Sequence, residues 1–296
     1  MLLASVSCQT IAAQDVDLDS ICRQFDMSEL VVTGTRTPKF LKDTPIQTRV
    51  ISSKEIARLD ATNVQDLLQQ ELPGVEFSYA MNQQTHLNFS GFGGQGVLFL
   101  VDGERLAGET MDDVDFTRLS MDNVERIEIV KGAASALYGS NATGGVINII
   151  TKRNRQPWTL NVNGRYAKHN EQRYGGMFGL SNKHWDNMLT ANYNSRDNYN
   201  VHSASDPVTR IISTVYGDKT LNLKDQLAWS PSKNFQLTGR VGYFFRETVK
   251  SVDQPERYRD FTGGLRMNWD ITAQDNLQAS YAFDQYDKSD YQRITR

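Results

Sequence analysis

Glycines 91, 93 and 96 in Gly91-Phe92-Gly93-Gly94-Gln95-Gly96 have the spacing of a dinucleotide-phosphate loop, the first place in the chain where residue types and spacing suggest chemistry. That chemistry needs the third glycine to open a helix whose N-terminus faces a pyrophosphate. Here Val97-Leu98-Phe99-Leu100-Val101 follows and reads as a strand, so the run is expected to be a bend that lets strands pack closely. The four histidines, His86, His169, His184 and His202, are too scattered for metal-ligand spacing. P-loop, His-Glu-x-x-His and Gly-x-Ser-x-Gly motifs are absent, and no nucleophile, base and orienting group assemble from the motifs present. An enzyme is the reading these residues support least, and neither a metal site nor a cofactor is expected.

The elements that would position such residues change character along the chain. Of the 296 residues, those from 1 to 153 hold 13 Lys+Arg against 20 Asp+Glu, and those from 154 to 296 hold 19 against 15. Neither half carries the basic stripe of a nucleic-acid binder. No apolar run is long enough for a membrane-spanning helix, but the mean hydropathy of −0.51 does not exclude strands that alternate lipid-facing with polar residues.

Residues 1–13 read as the apolar core and small-residue end of a secretory signal, although the first positive residue is Arg23. Cleavage after Ala13 would remove Cys8 and leave Cys22 alone. The lipobox reading of Ser5-Val6-Ser7-Cys8 is weak because Ser5 stands where Leu is wanted. Residues 14–44 form an acidic leader with a β-prone run, Glu29-Leu30-Val31-Val32-Thr33, that reads as an edge strand or as a segment left for another protein's strand to join.

Residues 45–153 read as an α+β domain. Ser52 and Glu55 form a capping box, Asn63 caps a second helix, and Asp102-Gly103 turns a hairpin. After Arg153 the pattern alternates strictly, as in Phe235, Leu237, Gly239, Val241, Tyr243 and Phe245 against Gln236, Thr238, Arg240, Gly242 and Arg246, with Phe244 out of place. About seven such strands are expected, joined by short turns alternating with longer connections at 195–219 and 248–260. That arrangement fits a transmembrane barrel, with a soluble antiparallel sandwich as the competing reading. Arg165, Arg240, Arg246 and Arg266 fall on the polar side of the alternation and are expected to face a barrel lumen.

Two stretches closely resemble the plug domain of TonB-dependent outer-membrane receptors: Val97-Leu98-Phe99-Leu100-Val101-Asp102-Gly103-Glu104-Arg105, and the run from Asn123-Val124-Glu125-Arg126-Ile127-Glu128-Ile129-Val130-Lys131-Gly132 through Leu137-Tyr138-Gly139 to Gly144-Gly145-Val146-Ile147-Asn148-Ile149-Ile150-Thr151-Lys152. The resemblance covers roughly residues 29 to 296. It implies an α+β plug followed by antiparallel strands of a 22-stranded transmembrane β-barrel in the bacterial outer membrane. It further implies that Glu29, Leu30, Val31, Val32 and Thr33 are the TonB box, the segment engaged by TonB of the inner-membrane energy-transducing complex. By family position, Tyr79, Met81, Asn82, Gln83 and His86 and, in the next loop, Glu109, Met111 and Asp112 would face ligand.

The chain departs from the family at Ser90, where Arg is usual, and at Ala133, where Pro is common. It also departs in length: 22 strands of about ten residues need on the order of 220 residues before loops, whereas 143 follow Arg153. The chain is therefore expected to be the N-terminal part of a longer receptor. Its expected role is energised uptake of an iron compound, haem or a ferric siderophore, by plug remodelling. Cobalamin is the competing ligand, and a non-transporting adhesin the competing class.

Overall fold

The computed structural model describes residues 30–31, 39–40, 48–59, 63–79, 85–89, 91–93, 96–106, 116–119, 121–132, 138, 142–154, 156–202, 211–249, 255–272 and 275–290. The chain forms two compact units; of the described residues, 30–78 and 85–152 belong to the first, and Tyr79 and 153–290 to the second. The signal, Cys8, Cys22, Ser90 and Ala133 lie outside the described residues.

In the first unit, β1 (Leu30–Val31) pairs antiparallel with β2 (Lys39–Phe40). β3 (Thr48–Ile51) leads into α1 (Ser53–Leu59) and α2 (Val64–Glu71). The capping box forms: the Ser52 N–H donates to Glu55 Oε2 at 2.7 Å and the Glu55 N–H to Ser52 Oγ at 3.4 Å. Asn63 Oδ1 accepts from the Asp66 N–H at 2.7 Å, which starts α2, and Gly74 at φ 87° lets the chain turn away after it. Arg49 of β3 forms an ion pair with Glu71 at the end of α2.

β4 (Val75–Tyr79), β5 (Thr85–Phe89) and β6 (Phe92–Gly93) make a small sheet. β7 (Val97–Val101), β8 (Glu104–Arg105), β9 (Val124–Lys131) and β10 (Gly145–Thr151) join β3 in a five-stranded sheet of order β3-β9-β10-β7-β8. β10 runs parallel to β7 and antiparallel to β9, so β7, β9 and β10 are interior strands covered on both faces. That double cover explains their nearly unbroken apolar sequences. One face packs Phe99, Ile127, Ile129, Ile147 and Ile149 against α2 Leu67 and Leu68, with Phe116 edge-on to Phe77 and Phe99 at 5.3 and 4.9 Å. The other face packs Leu98, Leu100, Val130, Ala142 and Val146. Each such large apolar side chain contributes about 1.5–3 kcal/mol on burial.

Within the glycine-rich run, Phe92–Gly93 form β6 and Gly96 directly precedes β7. A Cβ on Gly144 would stand 2.8 Å from Cβ and Cγ of Phe92, and one on Gly96 3.0 Å from Phe92 Cβ. The Gly144 N–H donates to the Gly96 carbonyl at 2.7 Å, so these backbones meet because neither residue has a side chain.

The second unit is an antiparallel sheet of β11 (Trp158–Ala167), β12 (Glu171–Ser181), β13 (Trp185–Arg196), β16 (Gly217–Ser232), β17 (Phe235–Val249), β18 (Pro255–Asp270) and β19 (Asn276–Asp290), in that order. A separate hairpin, β14 (Tyr199–His202) with β15 (Ile211–Val215), lies between β13 and β16. The expected seven strands are present, but two expected loops contain strand. The 195–219 connection carries β14 and β15, and most of 248–260 is ladder, from Thr248 opposite Glu256 onwards.

Candidate functional site

The register of the seven-stranded sheet sorts its side chains onto two faces. One face is apolar and open: Trp158, Leu160, Phe178, Leu189, Leu227, Val241, Phe261, Leu265 and Tyr281 are all at least 40% exposed. A soluble sandwich buries such a face. Along β17 it runs from Phe235 to Phe245, ten residue steps, or about 33 Å of strand and roughly 25 Å of height at a 40° tilt, the thickness of a barrel's lipid-facing band. Directly beyond it, Arg257 Nε bonds Glu247 Oε2 at 2.6 Å and Arg259 is exposed, so the apolar face ends at charge.

All four tryptophans of the chain, Trp158, Trp185, Trp229 and Trp269, lie at the end of the sheet with the short turns. Trp185 and Trp229 stack at 5.8 Å, Phe235 is edge-on to Trp229 at 6.1 Å, and Trp269 is edge-on to Phe235 at 6.5 Å. This row is an aromatic girdle, the arrangement amphipathic rings adopt at a membrane–water boundary.

The opposite face is polar. Register puts Arg165 across from Arg173, Arg240 across from Gln226, Arg246 between Thr220 and Tyr258, and Arg266 across from Thr238, so the four arginines share this face. Phe244, which breaks the apolar–polar alternation, also lies here and is buried, opposite Asn222 and Asp260. Toward the end away from the girdle, the Arg246 guanidinium sits 5.2 Å and Lys288 Nζ 5.5 Å from the Tyr258 ring. Tyr258 donates its hydroxyl to Glu256 at 3.0 Å, and Lys288 pairs with Glu256 at 3.6 Å. Arg196 pairs with Asp218 at 3.2 Å on the same face. The Glu256-Tyr258-Lys288 cluster was not expected, because its first two members fall in a segment that reads as a loop; the i, i+2 spacing of Glu256, Tyr258 and Asp260 was the available signal.

In the first unit the last strand is fastened to the β7–β8 hairpin. Asp102, at φ 51°, accepts from the Thr151 N–H at 2.9 Å and from Thr151 Oγ1 at 2.7 Å, while Asn148 Oδ1 accepts from the Gly103 N–H at 3.0 Å. Fully buried Glu128 is held by Arg126 at 2.8 Å. Past the unit boundary, Asn154 accepts from Thr159 Oγ1 at 2.8 Å and fills the space over Gly179.

Of the residues expected to face ligand, His86 is exposed on β5 and Tyr79 ends β4; Met81, Asn82, Gln83, Glu109, Met111 and Asp112 lie outside the described residues. Leu30 and Val31 pair with Phe40 and Lys39, whereas Glu29, Val32 and Thr33 lie outside. Among the described residues no group of three His, Cys, Asp or Glu side chains is placed to hold a metal.

Residues 41–146 match the family model of the TonB-dependent receptor plug domain. That stretch is a plug domain of the TonB-dependent receptor type. The chain is 34% identical over 123 residues to the vitamin B12 transporter BtuB of Photobacterium profundum, covering 41% of this chain and 20% of that protein. It is 38% identical over 129 residues to the vitamin B12 transporter BtuB of Vibrio cholerae serotype O1, covering 43% and 21%. The chain thus spans about a fifth of the curated relatives it matches. Among solved structures, the alcaligin outer-membrane receptor FauA of Bordetella pertussis superposes with a TM-score of 0.69 at 16% identity, covering 88% of this receptor and 43% of FauA. The copper transporter OprC gives 0.65 at 16% identity, covering 77% and 35%. At these identities the superpositions establish the fold: a plug followed by transmembrane barrel strands. The receptor is a protein of the bacterial outer membrane, and the apolar face with its tryptophan girdle is the lipid-facing surface of those strands.

Proposed function

We propose that the receptor takes part in TonB-energised uptake of a bulky metal-centred ligand, with Glu29 to Thr33 as the TonB box and the polar face of the strands, including Arg165, Arg240, Arg246 and Arg266, turned to the barrel lumen. The observation that carries this reading is the plug itself, joined directly to lipid-facing strands. TonB engages an extended segment by strand addition. Leu30 and Val31 are extended, and their two-residue ladder with Lys39 and Phe40 is short enough to exchange for a partner's strand.

Two ligand classes fit. An iron compound, haem or a ferric siderophore, rests on the residue types Tyr79, Met81 and His86 and on a polar, arginine-bearing wall. Cobalamin is supported by a different observation, the 34–38% identity over 123–129 residues to vitamin B12 transporters. That likeness moves cobalamin ahead of the iron compounds.

Deleting 29–33 from the receptor gene in its own bacterium tests the transport reading. Uptake of labelled cyanocobalamin, haem and a ferric siderophore is measured beside their binding to whole cells. The expected result is uptake of one ligand lost with its binding retained. Unchanged uptake overturns energised transport and leaves the adhesin reading.

A further inference from the structure

The lipid-facing surface carries, in mid-band, a charged group that the transport reading does not use. Asp225 of β16 lies opposite Leu189 and Val241, and its neighbours on the same face of β16 are Leu223 and Leu227; all four apolar side chains are 37–53% exposed. The carboxylate therefore sits in the middle of the apolar band, four residues along the strand from Trp229 of the girdle. Asn187 Nδ2 donates to Asp225 Oδ1 at 2.8 Å and to the Gln226 carbonyl at 3.2 Å, which uses both amide protons. Asp225 Oδ2 has no partner among the described residues.

An ionisable group at that depth meets neither water nor lipid headgroups, so its remaining capacity has to be met by protein. We propose that the Asn187–Asp225 pair is a docking point for a second membrane-embedded protein that presents a lysine or arginine at the same depth. The sign of the charge selects a cation. A second copy of this receptor does not supply it from the described residues. The nearest lipid-facing cations are Arg259, four residues along β18 from the Gly263 level of Asp225 and opposite Phe245 at the edge of the apolar band, and Lys219, six residues along β16 and beyond it.

The test places the photoreactive residue p-benzoylphenylalanine at Leu227 of the receptor in its own bacterium. The expected result is one discrete adduct whose crosslinked peptide maps to a membrane-embedded segment carrying Lys or Arg. Asp225→Asn should cut its yield at least tenfold, and Asp225→Lys combined with Asp at the mapped cation should restore it. The proposal is overturned by no discrete adduct at positions 223, 227 or 241, by an adduct indifferent to Asp225→Asn, or by a peptide without a basic residue. It is also overturned if Asp225→Asn lowers the urea midpoint of the receptor refolded alone in phosphatidylcholine vesicles, which would assign the pair to the wall's own folding. Quenching of tryptophan fluorescence by brominated lipid in those vesicles checks the barrel wall separately: quenching without an adduct sinks only the docking proposal.

Discussion

Thr151 gives both of its donors to Asp102, 49 residues earlier: its backbone N–H at 2.9 Å to Oδ1 and its hydroxyl at 2.7 Å to Oδ2. Asp102 occupies a left-handed turn position at φ 51° that an aspartate tolerates, and Gly103 follows at φ 81°. The tight turn aims one carboxylate at the last residue of β10, just before the chain leaves the plug. A hairpin near the middle of the plug therefore holds its exit strand.

Removing that acceptor loosens the exit. Asp102→Ala should destabilise the end of β10 by about 1.5–3 kcal/mol, the worth of hydrogen bonds to a charged group, which is tenfold or more in local opening. Hydrogen exchange of amides 146–151 in the folded receptor reads this directly. Asp102→Asn, which keeps one acceptor oxygen, should show a smaller effect, and equal exchange in all three proteins would refute the role given to Asp102.

Adjacent glycines should respond differently to alanine. A Cβ at Gly145 would lie 2.6 Å from the Val130 carbonyl oxygen, which is fixed by the β9–β10 ladder; at Gly144 the obstacle is the side chain of half-exposed Phe92. Gly145→Ala should cost more than Gly144→Ala, with overpacking of this kind worth about 1–3 kcal/mol. Resistance of the plug to limited proteolysis ranks the two, and the reverse order would be incompatible with this packing.

Local rules made much of this fold legible from sequence. The capping box at Ser52, the cap at Asn63, the Asp102-Gly103 turn and the strict alternation after Arg153 act within a few residues, and each forms as read. What sequence hid depends on register across strands. Phe244 looked misplaced because alternation says which face a residue takes, not that a polar face has room to bury a ring opposite Asn222 and Asp260. Glu256, Tyr258 and Arg259 looked like loop because a strand's extension beyond the lipid band carries no apolar signal. Asp225 reads as an ordinary polar residue until Leu189 and Val241 are seen on either side of it.

The start of α1 should be acid-sensitive. The Ser52 backbone N–H, then its hydroxyl and the nearby Arg49 and Arg58, hold the Glu55 carboxyl below its ordinary value against a smaller opposing effect of burial. A carboxyl whose folded value lies below its unfolded one stabilises the folded state fully above the unfolded value and progressively less as pH falls through the folded one. Amide exchange at Ile56, whose N–H bonds the Ser52 carbonyl at 3.0 Å, should therefore gain an extra acid-dependent opening below about pH 4.5. Glu55→Gln should abolish that dependence while costing roughly 1 kcal/mol or less at neutral pH, since Glu55 is only partly buried and solvent screens its charge.

Position 241 separates a membrane wall from a soluble sheet. Val241 is 53% exposed on the apolar face, level with Asp225 and Gly263 in mid-band, whereas its neighbour Arg240 points to the other face. In water an exposed Val→Arg change on a strand is worth a few tenths of a kcal/mol. In the middle of a bilayer an outward arginine costs about 2–4 kcal/mol, because its guanidinium must reach the interface or draw water in. Val241→Arg should therefore lower the stability of the receptor in phosphatidylcholine vesicles by that amount, while Val241→Leu leaves it unchanged. Arg240→Gln, on the polar face, should cost less than Val241→Arg, because it introduces no charge into lipid and only shortens a hydrogen-bonding side chain. Urea midpoints for the three variants in vesicles decide the matter: a negligible cost for Val241→Arg would mean that this apolar face does not meet lipid.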